Sequence, residues 1–376
     1  MKLLALSLIT MSIATQSFAG DRYLVGVYYF AGWWREHPNK YFEESHDWRL
    51  DFPRRRATLG AYNEQATMDR EIDVAASHGV SFFQMLWYWQ GNDPGTREAH
   101  QHKLNVAIDQ FMHSPESAKM KFTIEYVNHP PFGITSGTDW EAACREWCAI
   151  MKHPSYLRIE DRPVFKIHGL EFFIKQCGGN AQASERVASL RRIAKECGVG
   201  DPLISSGITS GPMPPAEKAK PFDFLTTYMD VPNLPQRKEL YPYEILLKLA
   251  TDLWSNAVAN SPKPYVPYLP AGWDPRPWKD PRASFEMPTR DQWLSALRSA
   301  RKVIDENERL SVPSKDGRVK MLLIYAWNEF GEGGIVAPTE GRGEMMLDGI
   351  REVFVPADAA GTSTSSVESR SSSGRP

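Results

Sequence analysis

Toward the end of the chain, the run Trp327-Asn328-Glu329-Phe330-Gly331-Glu332-Gly333 sets two carboxylates three positions apart, with glycines that permit a tight turn. Two carboxylates in one loop can face a single bound group. Cleavage of a glycosidic bond calls for such a pair: one protonates the leaving oxygen, and the other assists attack at the anomeric carbon. Like charges held close also raise the proton affinity of one member, which keeps it protonated as the acid. The same spacing describes a solvated acidic surface turn. Where the chain carries the segment decides between the two.

Other chemistry-bearing residues recur at intervals. Tyr28-Tyr29-Phe30 precedes Gly32-Trp33-Trp34, and Trp87-Tyr88-Trp89, Glu125-Tyr126 with Asn128-His129, His168, Tyr228 and Gly272-Trp273-Asp274 follow. Aromatic rings stack on the apolar faces of sugars, and they also fill ordinary cores. The candidate substrate-binding residues are Tyr28, Tyr62, Trp87, Tyr88, Glu125, His168, Tyr228, Trp273, Trp327 and Asn328. Glu125 is equally an ion-pair partner inside a barrel mouth. His129 and His168 either bind hydroxyls or serve structure. Tyr62-Asn63 either touches substrate or caps the helix after it. His100 and His102, near a helix start, read as surface.

The elements that must position these residues alternate. Strand-like runs at 23–30, 80–87, 121–127, 163–168, 202–208, 222–228, 265–270 and 320–327 are apolar and β-rich. Helical spacing fills 65–78, 98–112, 139–151, 184–196, 243–259, 290–307 and 345–353, with Asp139 as an N-cap. The unit between the fifth and sixth strands is short and proline-rich, so no helix is assigned there. Near-continuous apolar strands alternating with helices indicate a parallel sheet. Eight such units predict an α/β fold closed as a (β/α)8 TIM barrel in a single domain. No Gly-x-Gly-x-x-Gly follows the first strand, which argues against a dinucleotide-binding sheet. In such a barrel the active site sits at the C-terminal ends of the strands. All the residues above fall there, and Glu329 and Glu332 follow the eighth strand.

Length and composition fit one barrel. The chain has 376 residues, within reach of a barrel with insertions. A net charge of −2 gives no single-sign field toward nucleic acid or a membrane surface. Lys2, the apolar stretch 3–14 and Ser17-Phe18-Ala19 form a signal peptide cleaved after Ala19, which predicts a secreted or periplasmic protein. The barrel then occupies 20–358, and the Ser/Thr/Gly-rich stretch 359–376 reads as a disordered tail. No later segment is long and apolar enough to cross a bilayer. Cys144 and Cys148 lie one helical turn apart, poor geometry for a bond to each other. Cys177 and Cys197 are a possible bridge. No zinc spacing appears, so neither metal nor cofactor is expected.

The Trp327–Gly333 run, with Pro338 after it, resembles the Asn-Glu-Trp-x-Glu-Gly signature of glycoside hydrolase family 99 and the related WbsX-type proteins. Tyr28-Tyr29-Phe30, Gly32-Trp33, Tyr62-Asn63, Glu71-Ile72, Ala75, Gly79-Val80 and Trp87-Tyr88-Trp89 follow that group's layout, and the resemblance spans residues 23–354. It implies a (β/α)8 barrel that cleaves internal α-mannosidic linkages with retention, without a metal. It also implies an unusual route through a 1,2-anhydro sugar. Glu329 matches the residue that takes the proton of the sugar 2-hydroxyl, and Glu332 matches the acid/base. Phe330 stands where the family has Trp, and Ala337 where a Glu precedes the proline. These departures bear on the substrate more than on the route. The expected partner is an oligo- or polysaccharide. A non-catalytic exported glycan-binding barrel and a WbsX-type glycosyltransferase are the competing readings.

Overall fold

The computed structural model describes residues 23–89, 102–209, 211–315 and 317–356. The stretches expected to be a signal peptide and a C-terminal tail lie outside the described residues, as do the side chains of His100 and His102 and the expected start of the second helix.

Eight parallel strands form the centre: β1 (Leu24–Tyr29), β2 (Phe82–Tyr88), β3 (Lys121–Val127), β4 (Arg162–Ile167), β5 (Leu203–Gly207), β6 (Phe224–Thr226), β7 (Tyr268–Pro270) and β8 (Met321–Tyr325). Each pairs with its chain neighbour from β1 through β6, β7 pairs with β8, and β8 pairs with β1 in the register Leu24 to Met321. A parallel bridge between Leu225 and Tyr265 joins β6 to the approach of β7 and closes the ring. The chain is a single-domain (β/α)8 barrel. The strands are buried on both faces, between the barrel interior and an outer helical layer.

The outer layer comprises α1 (Gln65–Ser77), α2 (His102–His113), α3 (Gly137–Met151), α4 (Leu170–Cys177), α5 (Asn180–Glu196), the short α6 (Ala216–Ala219), α7 (Tyr243–Asn260), α8 (Arg290–Glu306) and α9 (Met345–Phe354). Indole N–H groups tie this layer to the barrel and its helices to one another. Trp254 of α7 donates to the carbonyl of Tyr268 at 3.0 Å, and Trp293 of α8 donates to that of Met346 at 2.9 Å. The start of α8 carries a capping box between Thr289 and Gln292, a device whose loss costs about 1 kcal/mol.

Several expectations are corrected. Strand 7 is shorter than 265–270 because Pro264 and Pro267 offer carbonyls to Leu225 and Leu323 but have no N–H for the ladder. An additional helix, α4, precedes α5 and ends at Gly178 in the left-handed conformation (φ 91°). The cap of α3 is Ser136, whose Oγ accepts from the Asp139 N–H at 3.0 Å; Asp139 sits one turn inside. Asn63 does not cap α1, which starts after Glu64; its amide donates to the Ala31 carbonyl at 3.2 Å. All four cysteines are free thiols, and the thiol beside Cys197 is that of Cys148 on α3, not the Cys177 of the possible bridge.

Candidate active site

The loop after β8 is folded by its own backbone. Asn328 and Glu329 pair antiparallel with Ile335 and Gly334. The N–H groups of Glu332 and Gly333 both donate to the Glu329 carbonyl, at 3.1 and 2.8 Å, which brings the two acidic residues into one turn. Gly333 has φ 83°, and a Cβ there would lie 2.8 Å from the Asp274 nitrogen, so both conformation and space call for glycine. The carbonyl of Glu332 accepts from the Asp274 N–H at 2.6 Å.

Two of the candidate ligand contacts prove to be fasteners of this turn. The amide of Asn328 accepts from the Phe30 N–H and donates to the Phe30 carbonyl, both at 2.8 Å, pinning the loop to the end of β1. Trp327 points outward and donates to Glu71 Oε1 at 2.7 Å, while Tyr29 donates to Glu71 Oε2 at 2.7 Å. Burial pushes the Glu71 carboxyl up to about 7. Strand alternation explains the outward direction of Trp87 as well: it packs on Trp147 and donates to Glu146 at 3.1 Å, while its neighbour Tyr88 faces inward.

The inward residues surround a cavity of about 550 Å³ at the C-terminal barrel mouth. Tyr88, His168, Tyr228, Trp273, Glu329 and Glu332 line it, joined by Lys40, His129, Phe132, Asp230, Trp278 and Arg282. Lys40, Trp278 and Arg282 were not singled out in the sequence because they lie on long loops with no periodic pattern around them. Tyr62 instead lines a neighbouring cavity of about 570 Å³, walled off by Trp33 and Phe330 and bordered by Arg35, Arg49 and Arg56.

Each carboxyl has its own tyrosine. The Tyr228 hydroxyl donates to Glu329 Oε1 at 2.6 Å, and the Tyr325 hydroxyl donates to Glu332 Oε2. The two phenol rings meet edge to face at 5.0 Å. Arg282 Nη2 stands 3.9 Å from Glu332 Oε1, with its guanidinium over the Trp273 ring. Burial raises the proton affinity of both carboxyls, and the charge of Glu332 adds to the rise at Glu329. The tyrosine hydrogen bonds pull the other way at each.

Beneath the cavity lies a charged group in the barrel interior. Lys166 Nζ approaches Glu125 Oε1 at 3.0 Å and donates to the Tyr28 hydroxyl at 2.7 Å, which donates in turn to the Thr227 carbonyl. His168 Nδ1 lies 2.7 Å from Glu125 Oε1. Tyr28 and Glu125 are fully buried and act below the cavity, not on its wall. Burial alone would push the Glu125 carboxyl up, but Lys166 and His168 hold it below the ordinary range. Burial pushes the Lys166 ammonium down to about 8 against the pull of Glu125. A proton on Nδ1 directed at Glu125 leaves Nε2 as the free polar atom of His168, whose ring packs 4.8 Å from Tyr228. Among the described residues, no group of three His, Cys, Asp or Glu side chains is placed to hold a metal ion.

The fold is similar to that of a glycoside hydrolase family 99 endo-α-mannosidase. The enzyme from Bacteroides thetaiotaomicron, solved with bis-tris-propane, superposes with a TM-score of 0.52 at 14% identity, over 88% of this chain and 95% of that one. A second structure of the endo-α-mannosidase from that organism gives 0.50 at 13%, over 87% and 95%. No family model matches the sequence, and no curated protein sequence does. Both positions at which the sequence departs from the family 99 signature are buried. Phe330 is buried edge-on against Trp33 and Tyr62, each at 5.3 Å, and Ala337 is buried.

Proposed function

We propose that this chain is an exported glycoside hydrolase acting with retention inside α-linked polysaccharide of the mannan type, with Glu329 and Glu332 as its catalytic pair. The observation that carries the reading is the pair itself: two carboxyls from one turn, each hydrogen-bonded to its own tyrosine, both bordering one open cavity at the barrel mouth. Burying two acids side by side works against stability, and such raised proton affinities cluster where chemistry is done.

The arrangement supports a two-step route. Glu329 takes the proton of the 2-hydroxyl as that oxygen attacks the anomeric carbon, and the C–O bond to the leaving sugar breaks as Glu332 protonates the departing oxygen. Water then gives a proton to Glu332 and attacks the anomeric carbon of the 1,2-anhydro sugar; the bond from that carbon to the epoxide oxygen O2 breaks, and O2 returns to a hydroxyl with the proton held by Glu329. Tyr228 keeps Glu329 oriented and favours its ionised form. Trp278 offers a face for a flanking sugar.

A donor-dependent transferase has less support, because the cavity residues form no glycine-rich phosphate cradle. The test is product analysis on a panel of α-mannans and other microbial polysaccharides. Oligosaccharides released by the wild-type chain but by neither Glu329→Gln nor Glu332→Gln support the reading. Polysaccharide binding with no reducing ends released would leave only a glycan-binding barrel.

A further inference from the structure

Lys40 sits at the lip of the cavity, and its placement is built. Its backbone carbonyl accepts two indole N–H groups, from Trp48 at 2.8 Å and from Trp278 at 3.2 Å. Its stem lies over Gly32, where a Cβ would stand 3.1 Å from Lys40 Cγ and closer still to the Phe30 ring. The ammonium lies 5.5 Å from the centre of the Trp278 ring. The loop fixes where this charge emerges, even though the residue is exposed.

The cations around it are neutralised locally. Arg282 is bidentate to Asp280, Arg55 and Arg276 share Asp274, Arg49 pairs with Asp47, and Lys279 lies 3.6 Å from Glu44. Among the described residues, Lys40 has no carboxylate within 4.0 Å. Its field favours the ionised form of both Glu329 and Glu332. That pull works against the carboxyl that must keep a proton to serve as the acid, although burial outweighs it at both. A counter-charge brought by the ligand cancels the pull.

We propose that the subsite beside Glu332 takes a sugar bearing an acid group, a carboxylate or an ester sulfate, which pairs with Lys40 while the ring lies against Trp278. This rests on the glycosidase reading above and names its substrate class. The acid group cancels the field of Lys40 on binding, so an acid-bearing chain both gains an ion pair and relieves that pull on Glu332. A neutral chain does neither.

The probes are α-mannan, its 6-carboxylated derivative and its sulfated derivative, offered to the full chain at low salt. The wild type should prefer at least one acid-bearing derivative over the parent by about tenfold in kcat/KM. Lys40→Gln should lose that preference and Lys40→Arg should keep it. Which derivative is preferred separates carboxylate from sulfate. A wild type indifferent to substrate charge, or a Lys40→Gln variant that slows neutral and acidic chains in equal proportion, overturns the proposal. If no polymer is cleaved, the glycosidase reading fails on this panel, and affinity electrophoresis in the same polymers still decides the subsite. Selective retardation by the acidic polymers that Lys40→Gln abolishes supports it, and equal mobility of the two proteins refutes it.

Discussion

The hydroxyl of Tyr228 donates a 2.6 Å hydrogen bond to Oε1 of Glu329, joining residues that leave the sixth and eighth strands. Tyr325 does the same for Glu332 from the end of β8. Each bond favours the ionised carboxylate, against burial that favours the protonated form. The tyrosines therefore set how the pair divides its protons.

Removing either hydroxyl should move one limb of the pH profile. In the proposed route Glu329 must be ionised, so Tyr228→Phe, which raises its proton affinity further, shifts the acidic limb of kcat/KM to higher pH. Glu332 must be protonated, so Tyr325→Phe shifts the basic limb to higher pH. Each variant should lose about tenfold in kcat. Initial rates across pH check this, and identical shifts in the two variants would oppose the role assignment.

The pair also predicts a direct titration effect. The charge of Glu332 is the second cause, after burial, of the raised proton affinity at Glu329. Glu332→Gln should lower the Glu329 titration midpoint, and carboxyl carbon-13 NMR of the labelled protein reads it. An unmoved midpoint would mean that Glu332 carries no charge while Glu329 titrates.

Below the site, Lys166 and Glu125 form a buried pair, 1% and 0% exposed, that also orients His168. Lys166→Met leaves Glu125 with His168 alone as its partner in the barrel interior and should cost about 3 kcal/mol in denaturant unfolding. The double variant Lys166→Met/Glu125→Leu should recover part of that loss. A single-variant loss under about 1 kcal/mol would show that the carboxyl simply takes up a proton.

Gly333→Ala forces a left-handed backbone and a 2.8 Å approach to the Asp274 nitrogen. The strain is about 1–3 kcal/mol, and its relief must displace the turn that carries Glu332. Turnover should fall more steeply than thermal stability, and parallel melting and rate measurements show whether it does.

The barrel was legible because its strands are buried on both faces, so apolar runs such as Leu322-Leu323-Ile324 mark them without ambiguity. Position after a strand end likewise identified Tyr88, His168, Tyr228, Trp273, Glu329 and Glu332, which the structure gathers around one cavity. Direction was harder. Trp87 and Trp327 occupy strand ends yet point to the helical layer, and only the pleat distinguishes Trp87 from Tyr88. Asn328 has the donor and acceptor of a ligand contact but spends both on the Phe30 backbone. Lys40 and Trp278 are joined across distant segments by an indole-to-carbonyl bond, and Arg282 is held by Asp280 on a long loop, arrangements that no local periodicity announces. Lys166 was hidden for another reason: a lysine inside an apolar strand is explained only by the Glu125 beside it on β3.

The most direct test follows α-mannan hydrolysis by proton NMR with wild-type protein and with Glu332→Gln, both verified as folded by circular dichroism. The account predicts that the first anomer released by the wild type is α, before mutarotation, and that Glu332→Gln loses turnover by about 10²–10⁴-fold while keeping its fold. Release of the β anomer, or turnover unchanged in Glu332→Gln, would contradict it.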